Sequence, residues 1–135
     1  MLDQSAGFRP VVGDFTGDGV DDIVWYAPGR ANALLWNFTR SGESVTALPM
    51  DGGTYRPVAG DFTGDGVDDI FWYAPGTAAD SIWDFAQGGS HTVYAANRSD
   101  SALPVVGDFT GGGVDDIAWV NGSSSALWFY SPIVR

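Results

Sequence analysis

The chain contains 135 residues and carries a formal net charge of −11, because its 17 acidic residues outnumber six basic ones. So large an acidic excess would repel the phosphate backbone of DNA or RNA, and we expect no nucleic-acid partner. The absence of cysteine excludes disulfides, zinc–thiolate sites and thiol nucleophiles. No stretch is long and apolar enough to span a bilayer, so we expect no membrane insertion, and residues 1–7 do not resemble a signal peptide.

One acidic segment recurs three times at a constant spacing of 47 residues. It reads GDFTGDGVDDI in its first two copies and GDFTGGGVDDI in the third, and the copies begin at Gly13, Gly60 and Gly107. A fixed period of this size indicates a repeat architecture, in which each unit buries its apolar faces against its neighbours. The predicted units are about residues 8–54, 55–101 and 102–135, and residues 1–7 precede them as a strand or tail.

Each unit is predicted to contain short strands in the same order, because runs of branched and aromatic residues alternate with turn residues. In the first unit the strands are predicted at Pro10–Val12, Ile23–Tyr26, Leu34–Phe38 and Ser44–Leu48. In the second unit they are Pro57–Ala59, Ile70–Tyr73, Ser81–Phe85 and His91–Ala95. In the third unit they are Pro104–Val106, Ile117–Val120 and Ala126–Tyr130, without a fourth.

Four antiparallel strands per unit and no helical periodicity predict an all-β fold made of β-propeller blades, with the third blade truncated. A two-sheet sandwich is the alternative, although it would not require three copies of one loop at one spacing. Closed propellers need at least four blades, so three units are expected to complete a ring within a longer protein or with another copy. Among assemblies, a homodimer with six blades is the one we expect, since two copies cover both open faces with equivalent contacts.

The acidic segment has the layout of a calcium loop, with oxygen-bearing residues at alternate positions and a glycine where the backbone turns. Calcium takes six to eight oxygens in flexible geometry, whereas the rigid octahedron of magnesium suits the loop less well. Solvated acidic turns without an ion are the alternative. The predicted ligands are Asp14, Thr16, Asp18, the carbonyl of Val20 and Asp22 in the first loop, and Asp61, Thr63, Asp65, the carbonyl of Val67 and Asp69 in the second.

The third loop lacks one of these acids, because Gly112 stands where the other loops have aspartate at position 5, counting from the first aspartate. Its remaining ligands would be Asp108, Thr110, the carbonyl of Val114 and Asp116, so we expect this site to be weak or empty. Position 8 should point away from the ion, and position 2 should anchor the loop in the blade. Position 8 is Asp21, Asp68 or Asp115, and position 2 is Phe15, Phe62 or Phe109.

The motif GDFTGDGVDDI followed by an apolar strand resembles the FG-GAP, or VCBS-type, repeat of integrin α-subunit heads and many secreted microbial proteins. The resemblance implies a β-propeller in which calcium loops join the first two strands of each blade, and an extracellular location as part of a parent protein. It matches Asp14, Asp18, Asp22, Asp61, Asp65 and Asp69 as metal ligands, with Asp108 and Asp116 as an incomplete set. Threonine at position 3 and the small number of blades depart from the family's pattern.

The function that we expect is a non-catalytic, calcium-stabilised propeller module with a binding or adhesion surface, or an assembly scaffold. A carbohydrate-binding lectin is the alternative, and Tyr26 and Tyr73, beside turns, are its candidate ligand-contacting residues. The six tryptophans recur at blade positions, where packing between blades explains them better than sugar binding does. An enzyme is not expected, because His91 is the only histidine and no serine lies in a nucleophile motif.

Overall fold

The protein is built from three antiparallel β-sheets, one for each repeat unit. The computed structural model describes residues 7–29, 32–50, 55–74, 80–95, 103–121 and 124–128. Within these residues, all regular secondary structure is β-strand. The first sheet contains β1 to β4, at Arg9–Gly13, Asp22–Tyr26, Asn32–Thr39 and Gly42–Pro49. The second contains β5 to β8, at Arg56–Gly60, Asp69–Tyr73, Ser81–Phe85 and His91–Ala95. The third contains β9 to β11, at Leu103–Gly107, Asp116–Asn121 and Ser124–Trp128.

Neighbouring strands in the sequence are also neighbours in each sheet. The strand orders are β1-β2-β3-β4, β5-β6-β7-β8 and β9-β10-β11, and all pairs are antiparallel. This simple up-and-down order confirms the predicted all-β fold with four-stranded, propeller-blade-like sheets. The third sheet has three strands within the described residues, and Tyr130 of its predicted third strand lies outside them.

Each acidic loop connects the first two strands of its sheet. The strand residues that flank the loop face each other in the ladder in all three units, as Gly13 and Asp22, Gly60 and Asp69, and Gly107 and Asp116. The hairpins are therefore superimposable in register. The 47-residue sequence period becomes a structural period.

Apolar residues pack mainly between units, as repeat architecture requires. The face that a unit turns to the next unit, its forward face, carries Val11, Phe15, Val24 and Leu35 in the first unit and Phe62, Phe71 and Ile82 in the second. The face turned to the preceding unit, its rear face, carries Ile70, Trp72, Trp83 and Phe85 in the second unit and Val106 and Ile117 in the third. Two continuous cores result, one at each junction.

The two tyrosines expected to line a binding surface are buried in these cores, so that expectation is wrong. Tyr26 is 1% exposed and Tyr73 is fully buried. The Tyr26 ring lies edge-on to Trp72, with centroids 5.0 Å apart, and its hydroxyl accepts a hydrogen bond from the Tyr55 N–H at 2.7 Å. Each tyrosine ends a strand and is followed by a turn, which suggests exposure in the sequence, but the next unit covers it.

Candidate metal-binding loops

The first aspartate of each loop holds the loop's backbone in place. In the first loop, one carboxylate oxygen of Asp14 accepts hydrogen bonds from the N–H groups of Gly17 and Asp18, at 2.7 and 3.2 Å. The other oxygen accepts from the Gly19 N–H at 2.8 Å. Gly17 and Gly19 have φ of 78° and 83°, which side chains rarely adopt, so glycine allows these amides to converge. The loop therefore wraps around its first carboxylate.

The last aspartate of the loop, at position 9, joins the loop to the third strand of the sheet. Asp22 is buried, and one of its oxygens accepts hydrogen bonds from the Phe15 N–H at 3.0 Å and the Thr16 hydroxyl at 3.2 Å. Its other oxygen accepts from the Phe38 N–H at 3.0 Å, across the sheet. Burial raises the pKa of Asp22, even though these donors oppose the change. The predicted ligand is thus also a structural anchor.

The second loop repeats this arrangement and brings three acids together. Asp61, Asp65 and Asp69 each offer an oxygen, and these oxygens lie within 4.8 Å of one another. Ligand oxygens of one calcium ion, each 2.3–2.6 Å from it, can be separated by such distances. The Thr63 hydroxyl, which has one proton to donate, lies 3.4 Å from an oxygen of Asp61 and 3.4 Å from an oxygen of Asp69. Within the described residues, no other three acids converge to this degree.

Electrostatics disfavour the fully ionised form of the second loop. Burial, reinforced by the nearby Asp84 and Asp65 carboxylates, raises the pKa of Asp69 to about 8, although the hydrogen bond from Phe85 lowers it. An ordinary aspartate titrates near 3.8. A divalent cation among Asp61, Asp65 and Asp69 would neutralise this repulsion without protonation. The donor set and its charge therefore fit a hard cation.

The third loop keeps its shape without the acid at position 5. The oxygens of Asp108 accept hydrogen bonds from Gly111, Gly112 and Gly113, at 2.8, 3.1 and 2.8 Å, as their counterparts do elsewhere. These backbone donors, with Gly113 foremost, lower the pKa of Asp108. Asp116 accepts from the Phe109 N–H at 3.1 Å and the Thr110 hydroxyl at 3.3 Å. Position 5 is therefore not needed to form the loop.

The structure places the position-5 acids and the valines of the loops close together. The carboxylates of Asp18 and Asp65 are exposed, and each accepts a hydrogen bond at 3.0 Å, from the N–H of Val20 and of Val67 respectively. The side chain of Val67 is buried in the core between the first two units, whereas Val114 is half-buried. The roles of the Val20, Val67 and Val114 carbonyls as ligands stay predictions.

The aspartates at position 8 have a role that the sequence did not reveal. Asp68 accepts a hydrogen bond from the Asp14 N–H at 2.9 Å, and its own N–H donates to the Asp14 carbonyl at 2.9 Å. Asp115 and Asp61 repeat the pair at 2.8 and 2.9 Å. These contacts link consecutive units, so both carboxylates do point away from their own loops. An aspartate kept in all three copies, yet off the ligand alternation, was the available signal.

The aromatic anchors differ among the units. Phe15 and Phe62 are buried, as predicted, and Phe15 lies against Phe85 of the next unit with ring centroids 5.1 Å apart. Phe109 is 47% exposed, because no described residue packs beyond it as Phe85 packs on Phe15. The prediction is therefore wrong for the third copy.

The single histidine is packed against an aromatic ring. His91 stacks on Trp83 with ring centroids 4.4 Å apart, and burial lowers the pKa of His91. It is a packed side chain of the outer strand.

Comparison with known proteins agrees with this architecture. A family model described as an FG-GAP-like repeat matches residues 14–72, and a second, described as an FG-GAP repeat, matches residues 53–95. No curated protein and no solved structure matches the chain. In the described part of the chain, no helix is long and apolar enough to cross a membrane.

Proposed function

Because the chain belongs to the FG-GAP repeat family, we propose that it is a non-catalytic, calcium-binding β-propeller module that serves as a binding, adhesion or assembly scaffold. The first and second loops bind calcium, and the third binds it weakly or not at all. The ion stabilises the junction of the first two strands in the first and second sheets. Repeats of this family are typical of extracellular domains, where calcium is plentiful enough for weak, exposed loops.

The convergence of Asp61, Asp65 and Asp69 carries this proposal. The third loop supplies a comparison, since it forms the same hydrogen bonds around Asp108 with glycine at position 5. An exposed carboxylate at Asp65 therefore adds charge that the loop conformation does not require. A cation ligand explains that charge, because clustered carboxylates otherwise destabilise a folded chain.

A non-catalytic role is supported by the hydrogen bonds and packing contacts that the polar side chains already make. The carboxylates of Asp14 and Asp22 accept backbone hydrogen bonds within their loop, and His91 is stacked on Trp83. These groups are structural in the described residues. A lectin has less support, since Tyr26 and Tyr73 are buried and offer no face to a sugar. A glycan or protein ligand would have to use another surface.

Calcium titration by isothermal calorimetry tests the proposal, with magnesium as the competing ion and the Asp65→Ala variant, which removes the position-5 ligand oxygens, as the comparison. We expect binding of calcium at the first two loops, and loss of one of these sites in the variant. Thermal unfolding should shift upward with calcium, since binding at 100 times the dissociation constant stabilises the native state by about 2.7 kcal/mol. Identical heats and melting temperatures with and without calcium would refute the proposal.

A further inference from the structure

The contact between consecutive units occurs twice in the described chain, so both of its halves are known. Its forward half consists of the backbone of the loop's first aspartate, Asp14 or Asp61, and the forward face of the same unit. Its rear half is the position-8 aspartate of the next unit, Asp68 or Asp115, with that unit's rear face. Among the described residues, each half also occurs once without its complement.

The uncovered forward half belongs to the third unit. Phe109 is 47% exposed, whereas its counterparts Phe15 and Phe62 are 0% and 1% exposed. Val105 is 48% exposed, whereas its counterpart Val11 is 6% exposed. The same apolar side chains that form the internal junctions therefore lie open here.

The uncovered rear half belongs to the first unit. Val12 is 55% exposed, whereas its counterpart Val106 is partly buried against the second unit. Asp21 is exposed and accepts no hydrogen bond from any described residue, whereas Asp68 and Asp115 are half-buried and bonded. The position-8 contact is thus ready to form but lacks a donor.

Two aromatic pairs show the same difference. Trp72 and Trp83 are 1% and 5% exposed, because the first unit covers them. Trp25 and Trp36, at the same positions of the first unit, are only partly buried and lie edge-on at 5.7 Å. The rear face of the first unit is therefore a partly exposed aromatic surface of the kind that proteins normally cover.

We infer that a second copy of this chain covers these two faces by forming the internal contact between molecules. Asp21 accepts a hydrogen bond from the N–H of Asp108 of the partner subunit, and donates its own N–H to that residue's carbonyl. The apolar side chain of Val12 packs against the partner subunit's forward face. The inference deepens the proposed assembly role and rests on it, but it does not depend on calcium binding.

The two junctions inside the chain indicate that a second copy covers the open faces, because each open face matches the partner of the other. The loop segments that carry the polar contact are identical in sequence at the open faces and at both covered junctions, and the flanking rear-face position stays apolar, as Val12, Ala59 and Val106. The forward loop segment GDFTG stands at 13–17, 60–64 and 107–111, and the rear segment GVDDI stands at 19–23, 66–70 and 113–117. A contact between unlike faces closes a ring when the rotation allows it, and two copies would then form six units with two equal contacts.

Light scattering coupled to gel filtration, in calcium-containing buffer, tests the inference on the intact chain. We expect twice the mass of one chain for the unchanged protein. Val12→Arg and Phe109→Arg each place a charge in one half of the contact, so each should weaken association about 100-fold or more. Val93→Arg is the matched control, because Val93 is 56% exposed on the outer strand of the middle unit. It should leave the mass unchanged.

Mixing the two defective variants separates this contact from other modes of association. The Val12→Arg chain retains an intact forward face and the Phe109→Arg chain an intact rear face, so together they should form a heterodimer with one good contact. Asp21→Ala should weaken each of the two contacts of the dimer by about tenfold, through loss of one hydrogen bond in each. Circular dichroism of each variant establishes that it is folded.

Three results would overturn the inference. The first is an unchanged protein that remains a monomer at 100 times the concentration used for unfolding experiments, which would assign the faces to a different partner. The second is dissociation of only one of the two arginine variants, which would indicate a contact between like faces. The third is a failure of mixing to restore association. In each case calcium calorimetry on the same samples reports the proposed function separately.

Discussion

Asp14 and Asp68 are joined by two hydrogen bonds that run in opposite directions between consecutive units, each 2.9 Å long. The Asp14 N–H donates to the Asp68 carboxylate, and the Asp68 N–H donates to the Asp14 carbonyl. Burial raises the pKa of the Asp68 carboxyl, which also lies near the negative charges of Asp61 and Asp115. The acidic loops therefore connect the units to each other as well as shaping candidate cation sites.

Removing the Asp68 side chain should destabilise the protein. Asp68→Ala deletes the acceptor of the half-buried Asp14 N–H, and we expect a loss of about 1–3 kcal/mol in the free energy of unfolding. Asp68→Asn is the matched control, because its amide oxygen can still accept the bond while the charge is gone. Urea unfolding of both variants in calcium-free buffer provides the measurement. Equal losses for the two would show that charge, and not the hydrogen bond, is responsible.

A methyl group at Gly60 should force the second and third units apart. A Cβ there would lie 2.8 Å from Val106 Cγ1 and 3.0 Å from Asp115 Oδ2. We expect Gly60→Ala to cost about 1–3 kcal/mol, as overpacking typically does. Gly112→Ala is the control, since its Cβ would have only Thr110 Oγ1 nearby, at 3.6 Å, and should change stability by less than about 0.5 kcal/mol. Similar melting temperatures for both variants would contradict the close approach.

Restoring an acid at position 5 should strengthen calcium binding in the third loop. Unlike Gly111 and Gly113, whose φ values are 75° and 83°, Gly112 has no positive φ, so an aspartate can be accommodated there. Calorimetry should detect an additional calcium site in Gly112→Asp. Gly112→Ala controls for the change in backbone freedom. An unchanged stoichiometry in the aspartate variant would mean that position 5 does not supply a ligand.

Stability without calcium should fall as the pH rises from about 4 to about 8. The native state keeps a proton on Asp69, whose pKa is raised to about 8, over a range in which the unfolded carboxyl with its pKa near 3.8 has lost it. The raised pKa values of Asp22 and Asp68 act in the same direction. Denaturant unfolding at pH 5 and pH 8, in metal-free buffer, measures the difference.

The neighbour of Asp69 provides a control for this pH dependence. Asp84→Asn removes a negative charge that helps raise the Asp69 pKa, and the first unit already has an amide, Asn37, at this position. The variant should therefore lose less stability between pH 5 and pH 8. Calcium should also weaken the dependence, since the ion replaces the proton. Greater stability at pH 8 than at pH 5 without metal would contradict the assignment.

The short-range pattern of apolar, polar and turn residues was sufficient to predict the strands and the loops. The predicted outer strand His91–Ala95 has the bounds of β8, and Ile23–Tyr26 differs from β2 by the single residue Asp22. This agreement has a physical cause, since alternation of side chains and turn residues determines strand formation over a few residues. The 47-residue period likewise predicted sheets of the same form.

The burial of individual side chains could not be predicted from this short-range pattern, because it depends on the neighbouring unit. Phe62 and Phe109 occupy the same place in the same motif, yet one is 1% and the other 47% exposed. Tyr26 looks exposed beside a turn, but it is covered by Trp72. Burial is a property of the surroundings, and these are assembled from residues far away in the sequence.

The sequence by itself determined the repeat, the strand order, the acidic loops and the family, because each follows from residue types at short range or from a constant period. Only the tertiary structure decided that position 8 links one unit to the next, since Asp14 and Asp68 lie 54 residues apart. It also decided which apolar faces are covered. Hydrogen bonds and packing between units depend on how whole sheets are placed against each other, and no local periodicity records that placement.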